Sequence, residues 1–151
     1  MSEPYTKALP DLQAMAEWGA AIADVLRPGD VVELEGGLGA GKTTLARAIL
    51  AALGHGGEVP SPTFTIVETY DALPLRLPVA HADFYRLEDP LEAQELGLED
   101  YREGAVLLAE WPDHAGGFSH EGGCLTIVLE IQDKGRIATV KPGRDWLERC
   151  P

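Results

Sequence analysis

An α/β fold with a mixed sheet, parallel at its centre and extended by antiparallel hairpins, is what this sequence predicts. Three observations carry the expectation. The glycine-rich stretch Gly36-Gly37-Leu38-Gly39-Ala40-Gly41-Lys42-Thr43 lies between a strand-like and a helix-like segment, the strand–loop–helix order of a phosphate-binding loop. Ala105-Val106-Leu107-Leu108-Ala109-Glu110 is the near-continuous apolar run of a parallel strand covered on both faces. Two pairs of β-rich segments, at 63–85 and 124–140, are joined by short turns, as in hairpins. Together they predict a P-loop NTPase-like single domain over the 151 residues.

In chain order, Pro10 to Leu26 reads as a helix, with Leu12, Met15, Ala16, Gly19, Ile22, Ala23 and Leu26 on one face. Arg27-Pro28-Gly29-Asp30 ends it. The strand Asp30–Glu35 carries Glu33 and Glu35, which predicts that one of its sides is partly open. Thr44 to Leu53 is a strong helix former closed by Gly54, with Arg47 its one strong charge. A glycine- and proline-rich loop follows to Pro62. Thr63–Tyr70 and Val79–Tyr85 read as paired strands. Pro90 to Leu98 reads as a short helix in an acidic run, most simply a solvated face. Gly116-Gly117 and Gly122-Gly123 predict a mobile loop. Asp133-Lys134-Gly135 joins the last strands, Cys124–Ile131 and Arg136–Val140, before a final helical turn at Asp145–Arg149.

Composition sets limits. Apolar residues make up 45% of the chain, enough for a packed globule. No apolar run approaches the length of a membrane span, and the first residues lack a secretion signal, so no membrane role and a cytoplasmic location are expected. Cys124 and Cys150 have no metal spacing and read as reduced thiols. A net charge of −13 opposes unaided binding to a nucleic-acid backbone or an anionic membrane. Any nucleic acid served by this chain is expected to be held by other proteins. Five basic residues after Gln132 (Lys134, Arg136, Lys141, Arg144 and Arg149) read as a solvated hairpin and tail.

The glycine-rich loop supplies the chemistry. Backbone N–H groups of Gly37, Leu38, Gly39, Ala40, Gly41, Lys42, Thr43 and Thr44 would cradle phosphates, with Lys42 on the β- and γ-phosphates and the Thr43 hydroxyl on Mg²⁺. Such a loop needs a carboxylate from a neighbouring strand end. Glu110 and Asp83 are the two candidates, for holding Mg²⁺ or for orienting the attacking water. Thr63, in Ser61-Pro62-Thr63, is either a switch residue sensing the γ-phosphate or part of a plain turn. His81 reads as a core or surface histidine, Arg86 as an ion-pair partner, and Trp111 as packing, with base stacking the alternative. No guanine-reading Asn/Thr-Lys-x-Asp pattern is present, which favours ATP.

These blocks together resemble the bacterial TsaE (YjeE) family. The residues that carry the resemblance are the loop with Thr44, Ser61-Pro62-Thr63-Phe64-Thr65, His81-Ala82-Asp83-Phe84-Tyr85-Arg86-Leu87, Glu95-Leu96-Gly97-Leu98 with Asp100-Tyr101, and Glu110-Trp111-Pro112. The resemblance spans about Leu9 to Ile137; the Gly116–Gly123 loop and the C-terminal end match no block of the family. It implies a Mg²⁺-dependent ATPase of tRNA threonylcarbamoyladenosine (position 37) synthesis, with Lys42, Thr43, Thr63, Asp83 and Glu110 linked to nucleotide and metal. It implies the partners TsaB and TsaD, the second of which transfers the threonylcarbamoyl group to tRNA. Two other readings share the loop: a small-molecule kinase, whose best lid candidate is Leu75-Arg76-Leu77, and a nucleotide-gated binding module with negligible turnover.

Overall fold

A computed structural model describes residues 3–60, 62 and 66–151. Ser61, Thr63, Phe64 and Thr65 lie outside the described residues, and the switch reading of Thr63 lies there with them. The strands are β1 (Tyr5–Leu9), β2 (Val31–Glu35), β3 (Val67–Tyr70), β4 (Val79–Asp83), β5 (Val106–Glu110), β6 (Cys124–Gln132) and β7 (Gly135–Pro142). The helices are α1 (Leu12–Val25), α2 (Lys42–Leu53), α3 (Leu91–Glu95) and α4 (Leu98–Arg102). The strands form one seven-stranded sheet in the order β1-β7-β6-β2-β5-β4-β3. β6, β2, β5 and β4 run parallel, while β3 and the β7–β1 edge are antiparallel. The parallel centre with antiparallel extensions is therefore the architecture of the molecule.

Period-two alternation assigns the two faces. Val32 and Leu34 of β2 point to the face covered by α1 and α2, with Leu45, Ile49, Ile22 and Trp18. Val31 points to the other, with Phe84, Leu87, Leu98 and Phe118. Asp11 caps α1, its carboxylate accepting from the Ala14 N–H at 2.8 Å.

Several expectations are corrected. β2 is not half open: Val31 to Leu34 are all buried. Glu33 is accommodated because its carboxylate accepts from Thr126 Oγ1 and from the Phe118 N–H, both at 2.7 Å, so the buried charge is hydrogen-bonded. The same contact ties down the glycine-flanked loop expected to be mobile, where Phe118 is buried. The helix expected over Pro90–Leu98 is two short ones, because Gly97 takes a left-handed conformation, φ 77°, between them. α2 begins at Lys42, which puts Lys42 and Thr43 in its first turn. β4 ends at Asp83, two residues before the predicted end. The final helical turn is a 3-10 turn at Arg144–Trp146. β1 was not anticipated.

Candidate functional site

Three parallel strands end side by side. β2 runs into the glycine loop, and Glu110 at the end of β5 is in register with Leu34 of β2 and with Asp83 of β4. The carboxyl ends of parallel strands are where open α/β sheets hold ligands. A cavity of about 510 Å³ opens there. Of the predicted site residues, Leu38, Gly39, Gly41, Lys42, Thr43, Thr44, Asp83 and Glu110 line it. Ala40 does not: it is buried behind the loop. Gly37 lies with Gly36 on a smaller neighbouring cavity, of about 250 Å³, walled by Glu35, Asp113 and Trp111.

The loop's shape depends on its first glycine. Gly36 has φ 143°, and a Cβ there would meet the Leu129 carbonyl oxygen of β6 at 2.5 Å. No other residue fits without moving the backbone. Lys42 folds back over the loop, Nζ donating to the carbonyls of Gly36 at 2.6 Å and Gly37 at 3.0 Å. Burial holds its pKa below the usual lysine value, and Glu110 and Asp83 oppose that shift. Burial also raises the Glu35 pKa, with Asp113 and Glu33 adding repulsion.

Glu110 is 2% exposed, so it is no solvated strand end. Its Oε1 accepts from the Thr43 hydroxyl at 2.8 Å. Its Oε2 lies 2.7 Å from Nε2 of the fully buried His81. An ionised carboxylate only accepts, so Nε2 carries the proton. Nδ1 of His81 has no hydrogen-bond partner among the described residues. The Thr43–Glu110–His81 chain is thus continuous from the glycine-rich loop to the core. Asp83 lines the same cavity and accepts from the Tyr85 N–H at 3.0 Å.

Trp111 does more than pack. Its backbone is left-handed, φ 53°, a strained conformation for a bulky residue. The turn sets its indole under Lys42, with Nζ 4.3 Å from the ring centroid, within cation–π range. Tyr85 and His114 lie beside it, at centroid distances of 5.0 and 5.7 Å.

Part of the wall escaped the sequence reading. Leu9, Leu12 and Met15 line the cavity on one side, and Lys134, Gly135 and Arg136 on another. Arg136 is half-buried and bound to the loop: it donates to the carbonyls of Ala40 at 3.1 Å and Gly39 at 3.0 Å. No motif flags it, because the contact spans 96 residues of sequence. Arg149 is likewise buried against Asp30. Arg76, the best kinase-lid candidate, donates instead to the Ala23 and Leu26 carbonyls at the end of α1 and does not line the cavity. Among the described residues, no helix is long and apolar enough to cross a membrane.

Comparison with known proteins follows the same outline. The family model described as "Threonylcarbamoyl adenosine biosynthesis protein TsaE" matches residues 9–138. A Haemophilus influenzae protein named tRNA threonylcarbamoyladenosine biosynthesis protein TsaE is 35% identical over 144 residues, covering 91% of this chain and 90% of that protein. Its Bacillus subtilis counterpart is 47% identical over 103 residues, covering 67% and 60%. The crystal structure of Bacillus subtilis YdiB aligns with a TM-score of 0.80 at 30% identity, covering 99% of this chain and 93% of that one.

Proposed function

The chain belongs to the TsaE family, and from that premise we propose that it is a Mg²⁺-dependent ATP hydrolase serving tRNA threonylcarbamoyladenosine synthesis as an accessory to TsaB and TsaD. The observation that carries the reading is the 2.8 Å bond between Thr43 of the glycine loop and Glu110. It joins a phosphate-loop hydroxyl to a strand-end carboxylate in a cavity of nucleotide size.

The donor set fits a hard cation, because Thr43, Glu110 and Asp83 offer oxygen atoms at one end of the cavity. Thr43 and Glu110 would hold Mg²⁺. When bound, the ion neutralises phosphate charge. Lys42 exchanges the Gly36 and Gly37 carbonyls for phosphate oxygens. Asp83, on the adjacent strand end and lining the same cavity, would orient the attacking water. Leu12 and Leu38 stand 75% and 77% exposed at the mouth, and they offer the base an apolar surface. The net charge of −13 suits a protein that reaches tRNA through its partners.

The test replaces Lys42 with alanine. Loss of that charge should weaken ATP binding or turnover at least tenfold, on the scale of a lost charge-assisted hydrogen bond, roughly 1.5–3 kcal/mol. Normal hydrolysis by the variant would refute the site. Turnover measured alone, then with TsaB, TsaD and tRNA, separates an accessory ATPase from a kinase or a gated binding module. Depletion of the protein should lower threonylcarbamoyladenosine in cellular tRNA; unchanged modification would remove the pathway assignment.

A further inference from the structure

Arg136 is the second residue of β7, yet its guanidinium grips the phosphate loop. Nε donates to the Ala40 carbonyl at 3.1 Å, Nη2 to the Gly39 carbonyl at 3.0 Å, and Nη1 to the Gly135 carbonyl at 2.9 Å. In a planar trans peptide, the C=O and the N–H of one unit point in opposite directions. A cation on the Gly39 and Ala40 oxygens therefore turns the N–H groups of Ala40 and Gly41 away from itself. The Ala40 N–H donates to the Gly37 carbonyl at 3.2 Å. The Gly41 N–H is thereby aimed by a bond on the far side of its own peptide. Oriented N–H groups are what an anion site in such a loop consists of.

The grip has a firm base. Arg136 is in register with Leu9 of β1. A Cβ on Gly135 would meet the Pro10 Cα at 2.7 Å and the Leu9 carbonyl oxygen at 2.8 Å, so hairpin and β1 are in backbone contact. A guanidinium meets two successive carbonyls with separate donors on one planar fork of fixed geometry, whereas an ammonium is a point charge on a flexible stem.

We propose that Arg136 is a positioning residue of the phosphate site, fixing the Gly39–Ala40 and Ala40–Gly41 peptides by their carbonyls so that the Gly41 N–H faces the anion. The proposal rests on the reading of the loop as a phosphate binder. Its experiment therefore has one arm without ligand and one with.

In the first arm, amide resonances of Ala40 and Gly41 are recorded in the nucleotide-free protein. Arg136→Gln should shift or broaden them, and Lys141→Gln, on the same strand, should not. Unchanged loop amides in Arg136→Gln would overturn the proposal whatever the loop binds. In the second arm, calorimetry gives the affinities of ADP and of inorganic pyrophosphate. Arg136→Gln should weaken both by the same factor, about tenfold for the loss of a charge-assisted hydrogen bond, and Arg136→Lys should fall between. A loss for ADP with pyrophosphate unaffected would make Arg136 a nucleoside contact and overturn the positioning role. Should the wild type bind neither ligand, the phosphate reading fails, and the amide spectra still decide the grip. Arg136→Lys, which keeps charge and stem, carries both arms if the glutamine variant does not fold.

Discussion

His81 shows how a single side chain can be legible in type and illegible in role. Histidine on an apolar strand is most simply a core residue, and His81 is fully buried. Its function lies in its one described bond, the 2.7 Å contact that holds Glu110 Oε2. With that bond lost, Glu110 can rotate about its side chain and present its oxygens wrongly to Thr43 and to a metal. Partners that orient a ligand side chain are worth about 10–100-fold in affinity or activity. His81→Leu is expected to lower kcat for ATP hydrolysis by about that factor, with a smaller effect on KM. His81→Asn, which restores an N–H donor, should recover part of the loss. The leucine also leaves a buried Glu110 oxygen without its donor, at a cost of about 1–3 kcal/mol, so the melting temperature should fall as well and kcat is compared well below the transition. Equal falls in kcat for the leucine and asparagine variants would show that the bond to Glu110 is not what matters. Trp111 makes the same point: composition marks it as packing, whereas its left-handed backbone places it against Lys42.

Among the elements, those with strong local signals were readable and those defined by a neighbour were not. The glycine loop, α1, α2 and β5 follow from spacing alone, since each has its own periodicity or apolar run. So does the antiparallel pairing of β3 with β4 and of β6 with β7, because short turns leave few other pairings. β1 carries no such signal. Of Tyr5 to Leu9 only Leu9 is fully buried, and the segment is a strand because β7 pairs with it. Missing β1 hid the backbone contact that locates the β6–β7 hairpin, and with it Arg136. In the same way, the open side predicted for β2 failed because the partners of Glu33 lie 85 and 93 residues away. The hairpin contact gives a prediction at this scale. Gly135→Ala puts a methyl group against the Pro10 and Leu9 backbone, and overpacking of that kind costs about 1–3 kcal/mol. The variant should unfold at lower denaturant concentration and bind ADP more weakly, because the tip carrying Arg136 is displaced. Wild-type unfolding and ADP affinity would mean that the close approach yields without consequence.

Across the molecule, a chain with net charge −13 commits several of its cations to contacts within the fold. Lys42 and Arg136 serve the loop, Arg76 the end of α1, and Arg102 forms a paired contact with Glu121 at 2.9 and 2.5 Å. Arg149 closes the set at the opposite end of β2 from the site. It donates to both oxygens of Asp30, at 2.6 and 2.8 Å, and to the Val25 carbonyl at 2.8 Å, and it stacks 4.1 Å from the Trp146 ring centroid. Tyr5 adds a bond from its hydroxyl to the Pro151 carbonyl at 3.0 Å. The C-terminal segment, beyond the last residue matched by the family model, thus ties β1 and the entrance to β2 together. Both partners in the Arg149–Asp30 pair are at least nine-tenths buried. Removing one leaves an uncompensated buried charge, at a cost of about 3–5 kcal/mol. Arg149→Ala should therefore lower the melting temperature by roughly 6–20 °C for a domain of this size. ATP affinity measured well below the transition should stay at the wild-type value, since the pair does not touch the cavity. The double variant Asp30→Asn, Arg149→Met removes both charges together and should lose less than Arg149→Ala alone. A double variant as unstable as the single one would locate the stabilisation in the arginine's contacts with Val25 and Trp146 rather than in the ion pair.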